Sequence, residues 1–85
     1  METLKYRIQD QAGIHARPAG ILVKKASEFQ SEITIEKQGK KADAKRILAV
    51  MGLGAKAGEE ITITIEGPDE KEAAAAVLSV LEENL

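Results

Sequence analysis

Hydrophobic and polar residues alternate in several stretches of the chain, the pattern of β-strands with one buried face. The alternation covers residues 3–8, 33–35 and 61–65. The turn-forming residues 38–40 predict a hairpin that leads into one more short strand at residues 41–43, the third in chain order. We therefore expect four strands.

Three other segments space their apolar residues three and four positions apart, as amphipathic helices do. They predict a helix over about Ala16–Ser27, a short one within the glycine-terminated stretch RILAVMGLG, and a third after Pro68. Asp69 is expected to cap the third helix, with Glu72 completing a capping box. The buried stripe of that helix is predicted to consist of Ala73, Ala76, Val77, Val80 and Leu81.

These elements follow one another in the order βαββαβα. Four strands that each have one apolar face need a single covering layer, and three amphipathic helices can supply it. The predicted fold class is α+β, a two-layer sandwich in which helices cover one face of an antiparallel sheet. No repeat, linker or low-complexity segment interrupts the 85 residues, so residues 1–85 are expected to form a single domain.

Composition and charge narrow the classes of function. The chain contains no cysteine, which excludes disulfide scaffolds, thiolate metal sites and cysteine nucleophiles. A formal net charge of −2 argues against a nucleic-acid partner. The N-terminal residues lack a secretory pattern and no apolar run is long enough to span a bilayer, so we predict no membrane insertion and a cytoplasmic location.

The stretch GIHARPAG holds the only histidine, His15, with Arg17 and Pro18 close behind it. Proline is accepted in the first turn of a helix, so a helix is expected to begin directly after His15. The first amides of that helix have no intrahelical acceptor and can bind an anion. A neutral imidazole can act as a nucleophile, and a guanidinium can bind the oxygens of a phosphoryl group. Together these groups suit a histidine that accepts a phosphoryl group and holds it as a phosphoramidate.

One plainer interpretation of the same stretch stays open. A lone histidine near a helix start is more often a surface or capping residue, in which case the chain would be a protein-interaction module with an incidental His15. A metal site is not expected, because the chain has no second histidine and no cysteine to complete a ligand set. No cofactor is predicted either.

The stretches GIHARPAG and LAVMGLGAKAGEEITI resemble the HPr family, the histidine-containing phosphocarriers of the bacterial phosphoenolpyruvate-dependent sugar phosphotransferase system. The resemblance implies an open-faced β-sandwich with strand order 1-4-2-3. It also implies that His15 is phosphorylated on Nδ1 by phospho-enzyme I and passes the group to IIA domains of sugar permeases, with Arg17 beside it and the amides of Ala16 and Arg17 holding the phosphate. Such a protein is a phosphoryl-group carrier, not an enzyme. An auxiliary carrier in a nitrogen-regulatory or dihydroxyacetone-kinase phosphorelay is the alternative.

The resemblance further implies a partner-binding face on the first two helices, made of Gly20, Lys24, Lys45, Arg46, Ile47, Leu48 and Met51. Spacing alone would favour the three large apolar residues for the core, but a helix of about eight residues cannot bury every side, so part of this set should be exposed. The cations should steer a monomeric carrier toward acidic partners in transient, salt-sensitive contacts.

One position departs from the pattern of many family members. Where they carry a serine that a regulatory kinase phosphorylates, this chain has Arg46, which has no hydroxyl. Control by such a kinase is therefore not expected here.

Overall fold

Seven elements follow one another in the predicted order. The computed structural model describes residues 1–85. Its elements are β1 (Glu2–Arg7), α1 (Ala16–Ala26), β2 (Glu32–Lys37), β3 (Lys40–Asp43), α2 (Ile47–Gly52), β4 (Glu60–Glu66) and α3 (Glu70–Asn84). None of the three helices is both long and apolar enough to cross a membrane.

The four strands form one antiparallel sheet in the order β1-β4-β2-β3, which confirms the predicted fold class and strand order. The registers align Leu4 with Ile63, Ile63 with Ile35, and Ile35 with Ala42 across the whole sheet. Because side chains alternate between the two faces of a strand, this apolar row lies on the side that the helices cover. The intervening positions of β2 and β4 carry threonine and glutamate and remain half-buried or exposed.

The core lies between the sheet and the helices and contains 21 buried hydrophobic residues. Leu22 of α1, Val50 of α2 and Val77 of α3 are fully buried in it. The buried stripe of α3 differs from the prediction at one residue: Ala74 is buried, whereas Ala76 is only half-buried. Ala74 precedes Val77 by three positions, a spacing that places both on the same side of a helix.

The predicted capping box at the start of α3 is wrong. Asp69 occupies the N-cap position but makes no capping bond within the helix. Its carboxylate instead accepts hydrogen bonds from the amides of Gln30 and Ser31, both at 2.9 Å, and from the Ser31 hydroxyl at 2.5 Å. The reason is the close approach of Gly67 to Ser31, where any side chain on Gly67 would overlap Ser31. Because of this approach, the Asp69 carboxylate accepts hydrogen bonds from Gln30 and Ser31 instead of from the first amides of α3.

The hydrogen bonds to the Asp69 carboxylate should make the stability of the protein depend on pH. The Ser31 hydroxyl, and after it the Gln30 amide, hold the pKa of Asp69 below its usual range. A lowered folded-state pKa contributes stability that is present above the unfolded pKa of about 3.9 and is lost as pH falls through the folded value. We expect Asp69→Asn to lower the thermal midpoint at pH 7, and the difference from wild type to shrink below about pH 4, where wild type loses the same charge.

Thermal unfolding followed by circular dichroism from pH 7 to pH 2 measures this difference. Glu82→Gln, a change of an exposed acid on α3 without a side-chain hydrogen bond, is the matched control and should leave the midpoint unchanged at neutral pH. A gap between wild type and Asp69→Asn that stayed constant down to pH 2 would contradict the assignment.

Candidate functional site

The loop between β1 and α1 carries His15 and is held on one side by the loop that precedes β4. The Ile14 amide donates to the Ala55 carbonyl at 3.0 Å. Gly13 has a positive φ of 68°, and a Cβ added there would overlap the Ala55 carbonyl oxygen and press on Lys56. Only glycine combines that backbone angle with so close an approach. The residues just before His15 therefore rest directly on the backbone of another loop.

The start of the same loop is held by the end of α3. The Leu85 carbonyl accepts hydrogen bonds from the amides of Gln9 at 2.6 Å and Asp10 at 2.8 Å, while the Leu85 side chain is buried. The Asp10 carboxylate then accepts from the Ala12 amide at 2.8 Å and closes a tight turn. The position of His15 thus depends on two segments that are far from it in sequence, the loop before β4 and the end of α3.

His15 stands at the N-cap of α1, where its backbone is extended with φ −119° and ψ −174°. Its carbonyl accepts the first helical bond, from the Ala19 amide at 3.0 Å, but its side chain makes no capping bond. The amides of Ala16 and Arg17 precede that first bond and have no acceptor within the helix. The imidazole therefore remains free beside the positive end of α1.

A cleft of about 260 Å³ opens at this point. It is lined by His15, Arg17 and Pro18 from the start of α1, by Asp10, and by Glu83 and Asn84 from the end of α3. His15 is half-buried and Arg17 is exposed, and neither side chain makes a hydrogen bond or an ion pair with the rest of the protein. The structure brings a free imidazole, a free guanidinium and unpaired helix amides to one place.

The sequence pattern does not indicate Asp10, Glu83 or Asn84 as site residues. They join the cleft because β1 and α3 end beside each other, which neither periodicity nor motif spacing reveals. The hydrogen bonds from Gln9 and Asp10 to Leu85 are what bring the two ends together.

The predicted partner-binding face has an exposed apolar centre. Leu48 is 81% exposed and Ile47 is 39% exposed, whereas Met51 is half-buried against the core. Ile47 lies next to Gly20 of α1, with its Cδ1 atom 3.8 Å from where a Gly20 side chain would begin. Ile21 of α1 is also exposed and is not among the predicted residues. Its signal in the sequence is an apolar side chain outside the buried stripe of α1.

The cations predicted around that face differ in how free they are. Lys24 is exposed on the last turn of α1. Arg46 is exposed at the N-cap of α2, 3.9 Å from the Asp43 carboxylate. Lys45 is half-buried and donates to the Phe29 carbonyl at 2.8 Å, beyond the end of α1 opposite to His15. The structure therefore does not bring the charge of Lys45 to the cleft.

Comparison with known proteins decides between the open interpretations. Residues 3–83 match the model of the family described as the PTS HPr component phosphorylation site. The chain belongs to the HPr family. It is therefore a phosphocarrier protein of the phosphotransferase system and not an enzyme in its own right.

Solved HPr structures agree with this assignment. A histidine-containing phosphocarrier protein, studied for the evolutionary divergence of Mycoplasma from Gram-positive bacteria, shares 39% identity at a TM-score of 0.94 and covers 96% of this chain and 93% of its own. HPr from Bacillus anthracis shares 38% identity at a TM-score of 0.87, over 94% of this chain and 95% of its own. An HPr dimer from Thermoanaerobacter tengcongensis shares 40% identity at a TM-score of 0.78, over 98% and 95%. Since this HPr relative is a dimer, a monomeric state of the present chain stays a prediction.

Proposed function

We propose that His15 accepts a phosphoryl group from phospho-enzyme I and passes it to the IIA domains of sugar permeases in the cytoplasm. The observation that carries the proposal is the cleft in which the imidazole of His15 and the guanidinium of Arg17 both lack protein partners beside the first amides of α1. A side chain engaged in a structural bond would have to break that bond before reacting. Here no such cost opposes the transfer.

In the first step, the lone pair of an imidazole nitrogen of His15 attacks the phosphorus atom of the donor. A new N–P bond forms as the bond between phosphorus and the donor breaks, and its electron pair stays on the donor. Arg17 and the amides of Ala16 and Arg17 bind the phosphoryl oxygens as the group moves. In the second step an acceptor nucleophile on the IIA domain attacks the same phosphorus, and the electron pair of the N–P bond returns to His15.

Asp10 and Glu83 give the cleft a second property. Both carboxylates line it together with Arg17, so a bound phosphoryl group meets negative as well as positive charge. Like charges repel, which raises the free energy of the phosphorylated form. A carrier has to release its phosphoryl group to the next protein, and the two carboxylates favour that release.

The exposed apolar residues Ile47 and Leu48 are proposed as the centre of the contact with both partners, with Gly20 and Met51 beside them. Exposed apolar side chains grouped on one surface are typical of a protein interface. Lys24 and Arg46 form its cationic rim, which should mainly raise the association rate with acidic partners. Lys45 contributes less, because its ammonium is bound to Phe29.

The direct test is to incubate the protein with enzyme I and phosphoenolpyruvate and to locate the phosphoryl group by mass spectrometry under alkaline conditions. One group on His15, lost in acid and stable in alkali as a phosphoramidate is, would support the proposal. Sugar-specific IIA domains should then remove it. Labelling that only the phosphorelay acceptors of nitrogen regulation or of dihydroxyacetone kinase can discharge would reject the sugar-transport part of the proposal.

Arg17→Ala should slow transfer about 10-fold or more, because a charge-assisted contact to the moving phosphoryl group is lost. Since the Arg17 side chain makes no protein contact by hydrogen bond or ion pair, the thermal midpoint should stay within about 4 °C of wild type. Stopped-flow transfer kinetics and thermal unfolding measure the two effects. Arg17→Lys keeps the charge but not the two-pronged geometry, and should fall between wild type and Arg17→Ala. Normal transfer with a collapsed midpoint would instead identify a structural arginine.

Charge reversal at Lys24 should weaken binding to enzyme I by about 3- to 10-fold at low salt, and the loss should fade as salt rises. Lys71→Glu is the matched control. It changes the net charge by the same amount at another exposed lysine, in the first turn of α3. Titration of each variant with enzyme I at several salt concentrations measures the difference. Equal effects of the two variants, or an affinity that does not change with salt, would reject electrostatic steering by the partner-binding face.

A further inference from the structure

The loop formed by residues 54–59 is the support on which the His15 loop rests. It connects α2 to β4 and supplies the Ala55 carbonyl that accepts from Ile14. It also supplies the backbone against which Gly13 packs. Any displacement of residues 54–56 therefore moves the two residues that precede His15.

Lys37, at the end of β2, binds the 54–59 loop through its side chain. Its ammonium donates to the Gly54 carbonyl at 3.0 Å and lies 3.1 Å from Oε1 of Glu59. The same oxygen of Glu59 accepts from the Lys56 amide at 2.7 Å. Lys37 thus joins both ends of the 54–59 loop to the sheet, and Glu59 ties the middle of the loop to its end.

Burial gives these contacts more weight than an ordinary surface ion pair has. The side chains of Lys37 and Glu59 are only 14% and 28% exposed. The Lys37 hydrogen bond and the Lys56 amide both favour the charged carboxylate and hold the pKa of Glu59 below its usual range. Exposed pairs contribute little because water and side-chain entropy oppose them, whereas both effects are smaller for side chains that the fold already encloses.

The two ends of the loop do not depend on Lys37 equally. Residues 58 and 59 are held to Ile8 by backbone hydrogen bonds of their own. The Gly58 amide donates to the Ile8 carbonyl at 2.8 Å, and the Ile8 amide donates to the Glu59 carbonyl at 2.9 Å. The Gly54 end is held to the sheet by Lys37. That end leads directly into Ala55, the residue that contacts Gly13 and Ile14. The effect of Lys37 should therefore be felt at the His15 loop more than in the sheet.

We propose that Lys37 and Glu59 are positioning residues for His15, which act through the 54–59 loop on the Gly13–Ile14 backbone. This inference rests on the proposed role of His15 in phosphoryl transfer. Lys37 and Glu59 touch neither the phosphoryl group nor its ligands. They set how precisely the imidazole is held at the start of α1, and a loosely held nucleophile spends less time in the reactive geometry.

The test compares Lys37→Met with Lys37→Arg and with Lys40→Met. Lys40 is the cross-strand neighbour of Lys37 in the β2–β3 hairpin, but it is exposed and its side chain has no partner, so it is the matched control. The readouts are the hydrogen-exchange rate of the Ile14 amide, which reports the bond to Ala55, and the separate kcat and KM of phosphorylation by enzyme I. In Lys37→Met we expect Ile14 exchange to be about 3- to 10-fold faster and kcat about 3-fold lower, with KM unchanged. Lys37→Arg should restore both readouts, and Lys40→Met should match wild type.

The outcomes separate this inference from the proposed function. Ile14 exchange at the wild-type rate in Lys37→Met would overturn the inference, and so would faster exchange with an unchanged kcat. Equal acceleration of core amides in β4 would identify a general loss of stability and would overturn it as well. A wild-type protein that takes no phosphoryl group on His15 would instead reject the proposed function, while the Ile14 exchange rate would still show whether Lys37 holds the loop.

Discussion

His15→Ala is expected to abolish phosphorylation by enzyme I and phosphoenolpyruvate entirely. His15 is the only histidine, and the guanidinium of Arg17 stays protonated and is not a nucleophile, so no other side chain in the cleft is expected to form an acid-labile, alkali-stable bond to phosphorus. Arg17 and the amides of Ala16 and Arg17 can bind a phosphoryl group but cannot accept it covalently. Radiolabel transfer from phosphoenolpyruvate, followed by gel electrophoresis under alkaline conditions, measures the loss.

The fold should survive the loss of His15. Its imidazole makes no hydrogen bond within the protein, so the thermal midpoint of His15→Ala should stay within about 4 °C of wild type. Arg17→Ala is the matched comparison, since it should slow the reaction without stopping it. An acid-stable label that persists in His15→Ala, for example on an exposed serine such as Ser27 or Ser79, would contradict the assignment of the acceptor.

Local patterns in the sequence are sufficient to predict the elements and the fold class of this chain because its elements are regular, whereas the strand order is predicted from the family resemblance. The isoleucines of β4 alternate strictly with threonines, and every one of them is buried. The same simplicity explains where the prediction fails. Asp69 and Glu72 match a capping box, but the structure offers Asp69 the amides of residues 30 and 31, almost forty positions away. A local sequence motif does not show that distant backbone amides can replace the helix amides as donors to Asp69.

The candidate site also contains residues that a local motif identifies and residues that only the tertiary structure brings in. His15, Ala16 and Arg17 lie within three consecutive positions, so a short motif can identify them, and the structure places them at one helix end. Asp10 and Glu83 enter the cleft from the ends of two elements that are about seventy residues apart in sequence. Their role depends on the tertiary contact between β1 and α3. The residues proposed to do the chemistry are thus local in sequence, whereas those proposed to tune or position them are not.

Gly13 is a position near His15 at which a single added methyl group should be strongly destabilising. In Gly13→Ala the alanine would have to adopt a positive φ of 68°. Its methyl group would also overlap the Ala55 carbonyl oxygen. The unfavourable backbone angle costs about 1–2 kcal/mol. Relieving the overlap means moving Ala55 away, which also breaks its bond to the Ile14 amide at a cost of about 1 kcal/mol or more. We expect a total loss near 3 kcal/mol, seen as a fall of more than about 10 °C in the thermal midpoint.

Gly54→Ala separates the two causes of this loss. Gly54 has nearly the same backbone angle, a φ of 64°, but nothing lies within 4 Å of where its side chain would begin. Its substitution should cost only the backbone part, about 1–2 kcal/mol, and should leave transfer to His15 closer to normal. The gap between the two variants measures the close approach of the His15 loop to Ala55. Equal losses in Gly13→Ala and Gly54→Ala would mean that this approach is not tight, and that the 54–59 loop does not hold the residues before His15 in place.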